Sequence, residues 1–300
     1  MTKEALHAFS ATKDHLVCID SDGCAFDTMG IKQRECFCPW MIDAFNLQPV
    51  AAAARECKEF ADLFSKTRGA NRHVTIKRIL TELLPSHPAV QSRGFVSPSY
   101  PAYFAWIDDP DSLLSNEGLA AAIASETDSS AKDELNAILD WSERVNWAVG
   151  EIVKGIPPFT GVRDALQTLH GKADVAVVSA TPIEALLREW GEHDIERYTA
   201  LICGQEMGTK KQHISVLGTA YARESILMVG DAPGDLRSAQ ANHVLFFPII
   251  PGDEEALWQE FIGEGLERFF AGTYRGSYEQ QLLDEFDRAL PAHPPWERQS

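Results

Sequence analysis

Leu16-Val17-Cys18-Ile19-Asp20-Ser21-Asp22-Gly23-Cys24-Ala25-Phe26-Asp27 is the stretch on which the reading of the chain turns. A short apolar run, Leu16 to Ile19, stops at two carboxylates spaced two apart and is followed at once by glycine. Such a run closed by turn residues reads as a buried strand of a parallel sheet. On an extended chain Asp20 and Asp22 project to the same side, because side chains alternate. In an open α/β sheet, ligands gather beyond the carboxyl ends of the strands. The pair therefore reads as the mouth of a site, with Gly23 letting the backbone turn away. Taken alone, Asp-Ser-Asp-Gly is equally an ordinary polar turn, so the decision rests with the remaining sequence.

Beyond Asp27 the texture changes. Residues 30 to 154 read as helical, with apolar residues three and four apart in Cys57–Phe64 and Val74–Leu84. Asp111-Ser112 predicts a helix start leading into Leu113 and Leu114, and Ala131–Val153 reads as one long helix. Gly155-Ile156-Pro157-Pro158-Phe159-Thr160-Gly161 is turn-rich punctuation and predicts a domain boundary. After it, strands and helices alternate with short connections. Strands are expected at Asp174–Ser179, Leu201–Gly204, Ser225–Gly230 and His243–Phe247, and helices at Val162–Leu169, Pro182 to about Trp190, Lys211–Ala222 and Pro233–Ala241. This rhythm predicts a doubly wound, Rossmann-like parallel sheet. Leu16–Asp20 joins that sheet, so the expected division is an α/β core of residues 1–29 and 155–300 with an all-helical cap at 30–154 inserted above it.

At 300 residues the chain is long enough for about two domains. Its formal net charge of −17 argues against a nucleic-acid partner, which needs clustered Lys and Arg. Six cysteines, at 18, 24, 36, 38, 57 and 203, lack the paired spacing of a zinc site and read as free thiols of a reducing compartment. There is no signal-like apolar run at Met1-Thr2-Lys3-Glu4-Ala5 and no stretch long enough to span a membrane. The expectation is a soluble cytoplasmic protein without a membrane or nucleic-acid partner, its oligomeric state undetermined.

Three further strand ends carry polar residues. One is Ser179-Ala180-Thr181, another Gly230-Asp231-Ala232-Pro233-Gly234-Asp235, and Thr209-Lys210-Lys211 follows the short strand at Leu201. Singly these are caps, turns or a surface lysine pair; together they are the parts of a phosphoryl-transfer site. A carboxylate can attack and form an aspartyl-phosphate, and a second can move the leaving-group proton. A hydroxyl and a lysine can hold the charged oxygens. Clustered carboxylates would repel a phosphate without a cation, and Mg²⁺ takes one or two carboxylates with phosphate oxygen and water.

In this layout the chain resembles the haloacid dehalogenase-like superfamily of phosphohydrolases. Asp20-Ser21-Asp22-Gly23 looks like its first motif, Ser179 its second, the 210/211 lysine its third and Gly230-Asp231-x-x-x-Asp235 its fourth. Pro157-Pro158-Phe159-Thr160-Gly161-Val162 is similar to its return linker from cap to core. The resemblance implies Asp20 as nucleophile and Asp22 as general acid/base, the latter also offering its backbone carbonyl to Mg²⁺. It implies Ser179 as a phosphoryl hydrogen-bond donor, a lysine neutralising the transferring group, Asp231 as metal ligand and Asp235 orienting a metal water or the lysine. Lys210, at the turn before the helix, is favoured over Lys211. Cys24-Ala25-Phe26 departs from the common Thr-Leu, and Lys211 stands where many members have proline. Asp22 disfavours dehalogenase and phosphonatase chemistry. The expected function is a Mg²⁺-dependent phosphatase of a small phosphorylated metabolite, with a phosphomutase as the alternative. A receiver-like switch or non-catalytic phosphate binder is the other class, and it would need neither Asp22 nor a lid. In the cap, the cationic loop Lys66-Thr67-Arg68-Gly69-Ala70-Asn71-Arg72 suggests Arg68 and Arg72 as contacts to an anionic substrate, though arginines beside helix ends also cap carbonyls.

Overall fold

A computed structural model describes residues 2–297. Two compact units emerge, one of Met1–Met29 with Gly155–Leu290, the other of Gly30–Lys154 with Pro291–Ser300.

The first unit is built on five parallel strands: β1 (Leu16–Ile19), β2 (Asp174–Val178), β3 (Leu201–Cys203), β4 (Ile226–Gly230) and β5 (Leu245–Pro248), in the order β3-β2-β1-β4-β5. Every residue of every strand is buried, so each reads as a continuous apolar run rather than an alternation. β1 is central. It pairs with β2 through Ile19↔Val177 and with β4 through Ile19↔Val229. From β1 the chain builds outward through β2 and β3, then restarts on the other side with β4 and β5. The strand order therefore reverses beside β1, the place where an open sheet forms its crevice.

Four helices connect the strands: α1 (Val162–Leu169), α2 (Ile183–Glu192), α3 (Lys210–Leu217) and α4 (Pro233–Asn242). In α1, Val162, Ala165, Leu166 and Leu169 are buried, the spacing of one helix face laid on the sheet. Each large aliphatic side chain buried this way contributes about 1.5–3 kcal/mol. Proline begins α4 and precedes α2 at Pro182, where its missing N–H costs nothing. The last strand starts two residues later than expected. His243 takes a left-handed conformation (φ 58°) that ends α4, and Val244 N–H still donates to Ala239 O.

The second unit is helical. Its long helix Ser129–Ile152 is capped by the Asp128 carboxylate on Ala131 N–H, and it lays Leu135, Ile138, Trp141 and Val145 into a core with Phe45 and Tyr103. A helix expected near Asp111 instead begins at Asn116, where Ser115 Oγ accepts from Gly118 N–H. Gly118 is required there, since a Cβ would lie 1.8 Å from Leu113 O. Residues 291–297, expected with the α/β unit, group with the helices (298–300 lie outside the described residues). Lys66 N–H donates to Pro291 O at 3.2 Å, Arg78 Nη2 donates to Ala292 O at 2.7 Å, and Trp296 packs on His87 with ring centroids 4.7 Å apart. Packing of that half-buried indole against Phe60 and His87 accounts for the regrouping. Among the described residues no helix is long and apolar enough to cross a membrane.

Candidate active site

Asp20 is the first residue after β1, and its N–H continues the ladder to Val229 O at 3.0 Å. The strand's hydrogen bonding thus aims the side chain. Asp20 Oδ1 accepts from Ser21 N–H at 2.8 Å, and Oδ2 lies 2.7 Å from Lys210 Nζ. The chain then folds back: Gly23, at φ 78°, donates to Phe26 O, while Ala25 and Phe26 N–H both return to Ser21 O. Only glycine takes that conformation without strain. Trp190 Nε1 donates to Ser21 Oγ at 3.0 Å and Trp258 Nε1 to Cys24 O at 2.9 Å, so two buried indoles of α2 and the C-terminal helices brace the turn. Cys24 fills the turn. Burial, then repulsion from Asp231 and Asp20, pushes its thiol well above the usual range, and Sγ–H points to Val229 O.

The other three strand ends converge here. Lys210 opens α3 behind the Thr209 cap, and its ammonium bridges Asp20 Oδ2 and Asp235 Oδ1 at 2.7 and 2.6 Å. Lys211 is exposed, so Lys210 is the lysine among the carboxylates. Asp235 is fully buried, and its Oδ2 accepts from Ala232 N–H at 3.0 Å. Asp231 follows Gly230 directly and is buried. Ser179 N–H donates to Cys203 O, placing the Ser179 side chain at the end of β2 beside Thr181 N–H, which donates to Ser179 Oγ at 3.2 Å. Asp22 is less buried; it accepts Thr181 Oγ1–H on Oδ2 at 2.7 Å and Thr28 Oγ1–H on Oδ1. Neither threonine carried a role in the sequence reading. Thr181 lies 159 residues from Asp22, and Thr28 lies just past the quoted stretch that ends at Asp27.

The electrostatics follow from crowding. Burial, with repulsion from Asp235 and Asp231, drives the Asp20 carboxyl well above the usual carboxylate range against the pull of Lys210. Burial works against the Lys210 ammonium too, but Asp20, Asp235 and Asp231 outweigh it and hold the lysine above its ordinary range. Carboxylate oxygens of Asp20, Asp231 and Asp235 all lie within 4.8 Å of one another. Three buried carboxylates against one ammonium leave an excess of negative charge, and an all-oxygen donor set suits a hard divalent cation such as Mg²⁺. Both Asp235 oxygens hold the lysine and the Ala232 N–H, as both Asp20 oxygens hold Ser21 N–H and the lysine.

Arg68 and Arg72 lie in the helical unit. Arg68 is buried and its Nη1 donates to Leu63 O at 2.9 Å. Arg72 Nη1 donates to Ser142 Oγ and Asn146 Oδ1, and its guanidinium stacks 4.8 Å from the Phe37 ring centroid. Arg72 thus ties the loop to the side of the long helix, and Arg68, on the carbonyl of the last residue of helix Ala51–Leu63, makes the capping bond that the sequence reading gave as the alternative.

Residues 113–249 match the profile of the haloacid dehalogenase-like hydrolase family, a span holding Ser179, Lys210, Asp231 and Asp235 but not Asp20 or Asp22. No curated protein matches the chain. Solved structures are similar at low identity. One is a haloacid dehalogenase-like family hydrolase from Streptococcus pneumoniae (13% identity, covering 85% of this chain and 98% of that one, TM-score 0.45). Another is a provisionally named phosphoglycolate phosphatase from Lactobacillus delbrueckii subsp. bulgaricus (16%, 86% and 98%, 0.46). A third is a provisionally named beta-phosphoglucomutase from Bacteroides vulgatus (12%, 91% and 98%, 0.46). Residues 113–249, which carry three of the four strand-end motifs, are thus similar to the haloacid dehalogenase-like hydrolase family.

Proposed function

We propose that the protein is a phosphoric monoester hydrolase that acts through an aspartyl-phosphate on Asp20, with a small phosphorylated metabolite as substrate. The observation that carries this reading is the Asp20–Lys210–Asp235 arrangement, an ammonium held 2.7 and 2.6 Å from two buried carboxylates at the end of the central strand. A carboxylate so fixed is a preorganised nucleophile, and the lysine offsets charge on the transferring group.

In the first step an Asp20 carboxylate oxygen attacks phosphorus, the bond from phosphorus to the ester oxygen breaks, and Asp22 gives the departing oxygen its proton. In the second, water attacks the phosphorus of the aspartyl-phosphate. Asp22 takes the water proton, and the bond from phosphorus to the Asp20 oxygen breaks. Ser179 Oγ and Lys210 Nζ hold the equatorial oxygens throughout. Asp20 and Asp231 would hold Mg²⁺, with the Asp22 carbonyl beside them and Asp235 steadying the lysine. When bound, the cation supplies positive charge that lets a phosphate dianion enter an acidic pocket. Arg68 is proposed to read an anionic group of the substrate from the helical unit, and residues 30–154 to serve as the cap that excludes water.

The test is Asp20→Asn. An amide is a poor nucleophile, so turnover of phosphomonoesters with Mg²⁺ should fall by several orders of magnitude, on the scale of lost covalent catalysis. Acid-quenched wild-type enzyme should carry phosphate on Asp20. Activity of the variant within tenfold of wild type would refute the assignment. Phosphate appearing on a substrate hydroxyl instead of in solution would identify the phosphomutase alternative.

A further inference from the structure

We infer that Thr181 is a positioning residue for Asp22, an inference that rests on the acid–base reading of Asp22 given above. Thr181 is held by its own backbone. Its N–H donates to Ser179 Oγ at 3.2 Å, its carbonyl accepts from Gln205 N–H at 3.1 Å, and Pro182 follows with φ −56°. The neighbouring chain closes in as well, since a Cβ on Gly204 would lie 2.9 Å from Thr181 O. From this fixed frame the Thr181 hydroxyl donates to Asp22 Oδ2 at 2.7 Å. Thr28 donates to the other oxygen, Oδ1. One hydroxyl on each oxygen fixes the plane of the carboxylate as well as its position.

A serine–threonine turn accounts for Thr181 N–H on Ser179 Oγ, because that contact spans only two residues. It does not account for a side-chain bond to a carboxylate 159 residues away. The same backbone bond has a second effect. Ser179 Oγ is the acceptor in it, so the serine's single hydrogen is not consumed by Thr181 and is directed elsewhere. Thr181 thus sets two neighbours at once, the hydroxyl that meets a phosphoryl oxygen and the carboxyl that serves the leaving group. General acid catalysis depends on a proton held within hydrogen-bond reach of the departing oxygen, and misplacement by about 1 Å can cost a hundredfold. A carboxyl released from one of its two hydroxyls gains rotamers and spends less time in line.

The test uses the full-length protein with Mg²⁺ and a series of aryl phosphates of graded leaving-group pKa. Thr181→Val keeps the shape and removes the hydroxyl; Thr181→Ser keeps the hydroxyl. Thr181→Val should lower kcat/KM by about tenfold for the poorest leaving group and by less than threefold for nitrophenyl phosphate, a fraction of the about 10²–10⁴ of a whole acid–base group. Inhibition by inorganic phosphate should stay within twofold of wild type, and Thr181→Ser should track wild type across the series. Added to Asp22→Asn, Thr181→Val should cost nothing further, since it acts through the missing group. Equal losses across the series without rescue by serine, no loss at all, or full additivity with Asp22→Asn each overturn the inference. Asp22→Asn alone separates the two readings. If that variant is insensitive to leaving group, the acid–base reading fails and takes Thr181 with it. If it is sensitive while Thr181→Val is not, only Thr181 is removed.

Discussion

A methyl group on Gly230 would lie 2.5 Å from Cβ of Asp235. The last residue of β4 and the first turn of α4 therefore approach more closely than any side chain allows, and this approach lets Asp235 reach back to Lys210. Gly230→Ala should displace Asp235 and detach it from both Lys210 Nζ and Ala232 N–H. The expected result is a kcat lowered about tenfold or more, with about 1–3 kcal/mol lost in urea unfolding, the usual cost of overpacking. Unchanged kcat would mean that the Asp235 contact to the lysine does not matter for turnover.

Removal of the lysine charge isolates the electrostatic argument. Lys210→Met leaves Asp20, Asp231 and Asp235 clustered without an ammonium, and breaking a buried ion pair costs about 3–5 kcal/mol. The variant should melt well below wild type in EDTA. It should then gain more stability from millimolar Mg²⁺ than wild type does, because the cation replaces the lost charge by mass action. Equal Mg²⁺-induced shifts in the two proteins would count against cation binding among these carboxylates.

Two buried imidazoles make stability pH-dependent. Burial, then the Lys210 charge, lowers His213 to about 4, and burial, then Arg72, lowers His73 to about 3, both from 6.5. Between those values the unfolded chain binds more protons than the folded one, so stability rises with pH. Their contribution is complete above about pH 6.5 and is lost as pH falls toward 4, at up to about 1.4 kcal/mol per pH unit for each imidazole. Urea midpoints at pH 7, 6 and 5 should decline accordingly. His213→Gln should flatten that decline relative to wild type, and an unaltered slope would exclude His213 as a source.

The two arginines of the cationic loop should separate. Arg72→Ala removes the bonds to Ser142 and Asn146 and the stack on Phe37, and should cost about 1–3 kcal/mol of stability with equal effects on all substrates. Arg68→Ala should raise KM for the natural anionic substrate while sparing a small aryl phosphate. Parallel kinetics with both substrates decide each case.

Legibility in the sequence followed the range of the interaction. Leu16–Ile19 ending at Asp20 was readable because a buried strand and its polar terminus are written in consecutive residues. That Asp20, Ser179, Lys210 and Asp231 share one end of a parallel sheet followed from alternating elements, whereas the order of the strands did not. Lys210 was favoured over Lys211 on a helix start at Lys211, whereas the helix begins one residue earlier, at Lys210 behind the Thr209 cap. Contacts between distant side chains were not readable: Thr181 on Asp22, Trp190 on Ser21, and the packing of Trp296 on His87. Hydroxyls and indoles carry no period or spacing that announces a partner 150 residues away. The start of the helix at Asn116 was missed for the opposite reason, because Asp111-Ser112 offered an equally good cap and the close approach of Gly118 to Leu113 chose between them.

The grouping of residues 291–297 with the helices means that the chain passes between the two units three times, at 29/30, 154/155 and 290/291. A segment entered and left once can be exchanged for a relative's as a cassette; this one cannot. A chimera carrying foreign residues 30–154 would leave Trp296 without His87 and Phe60, and the Ala292 carbonyl without Arg78. Engineering that aims to trade the specificity of one such protein for another must therefore carry the strap along with the insert, as two pieces from the same parent.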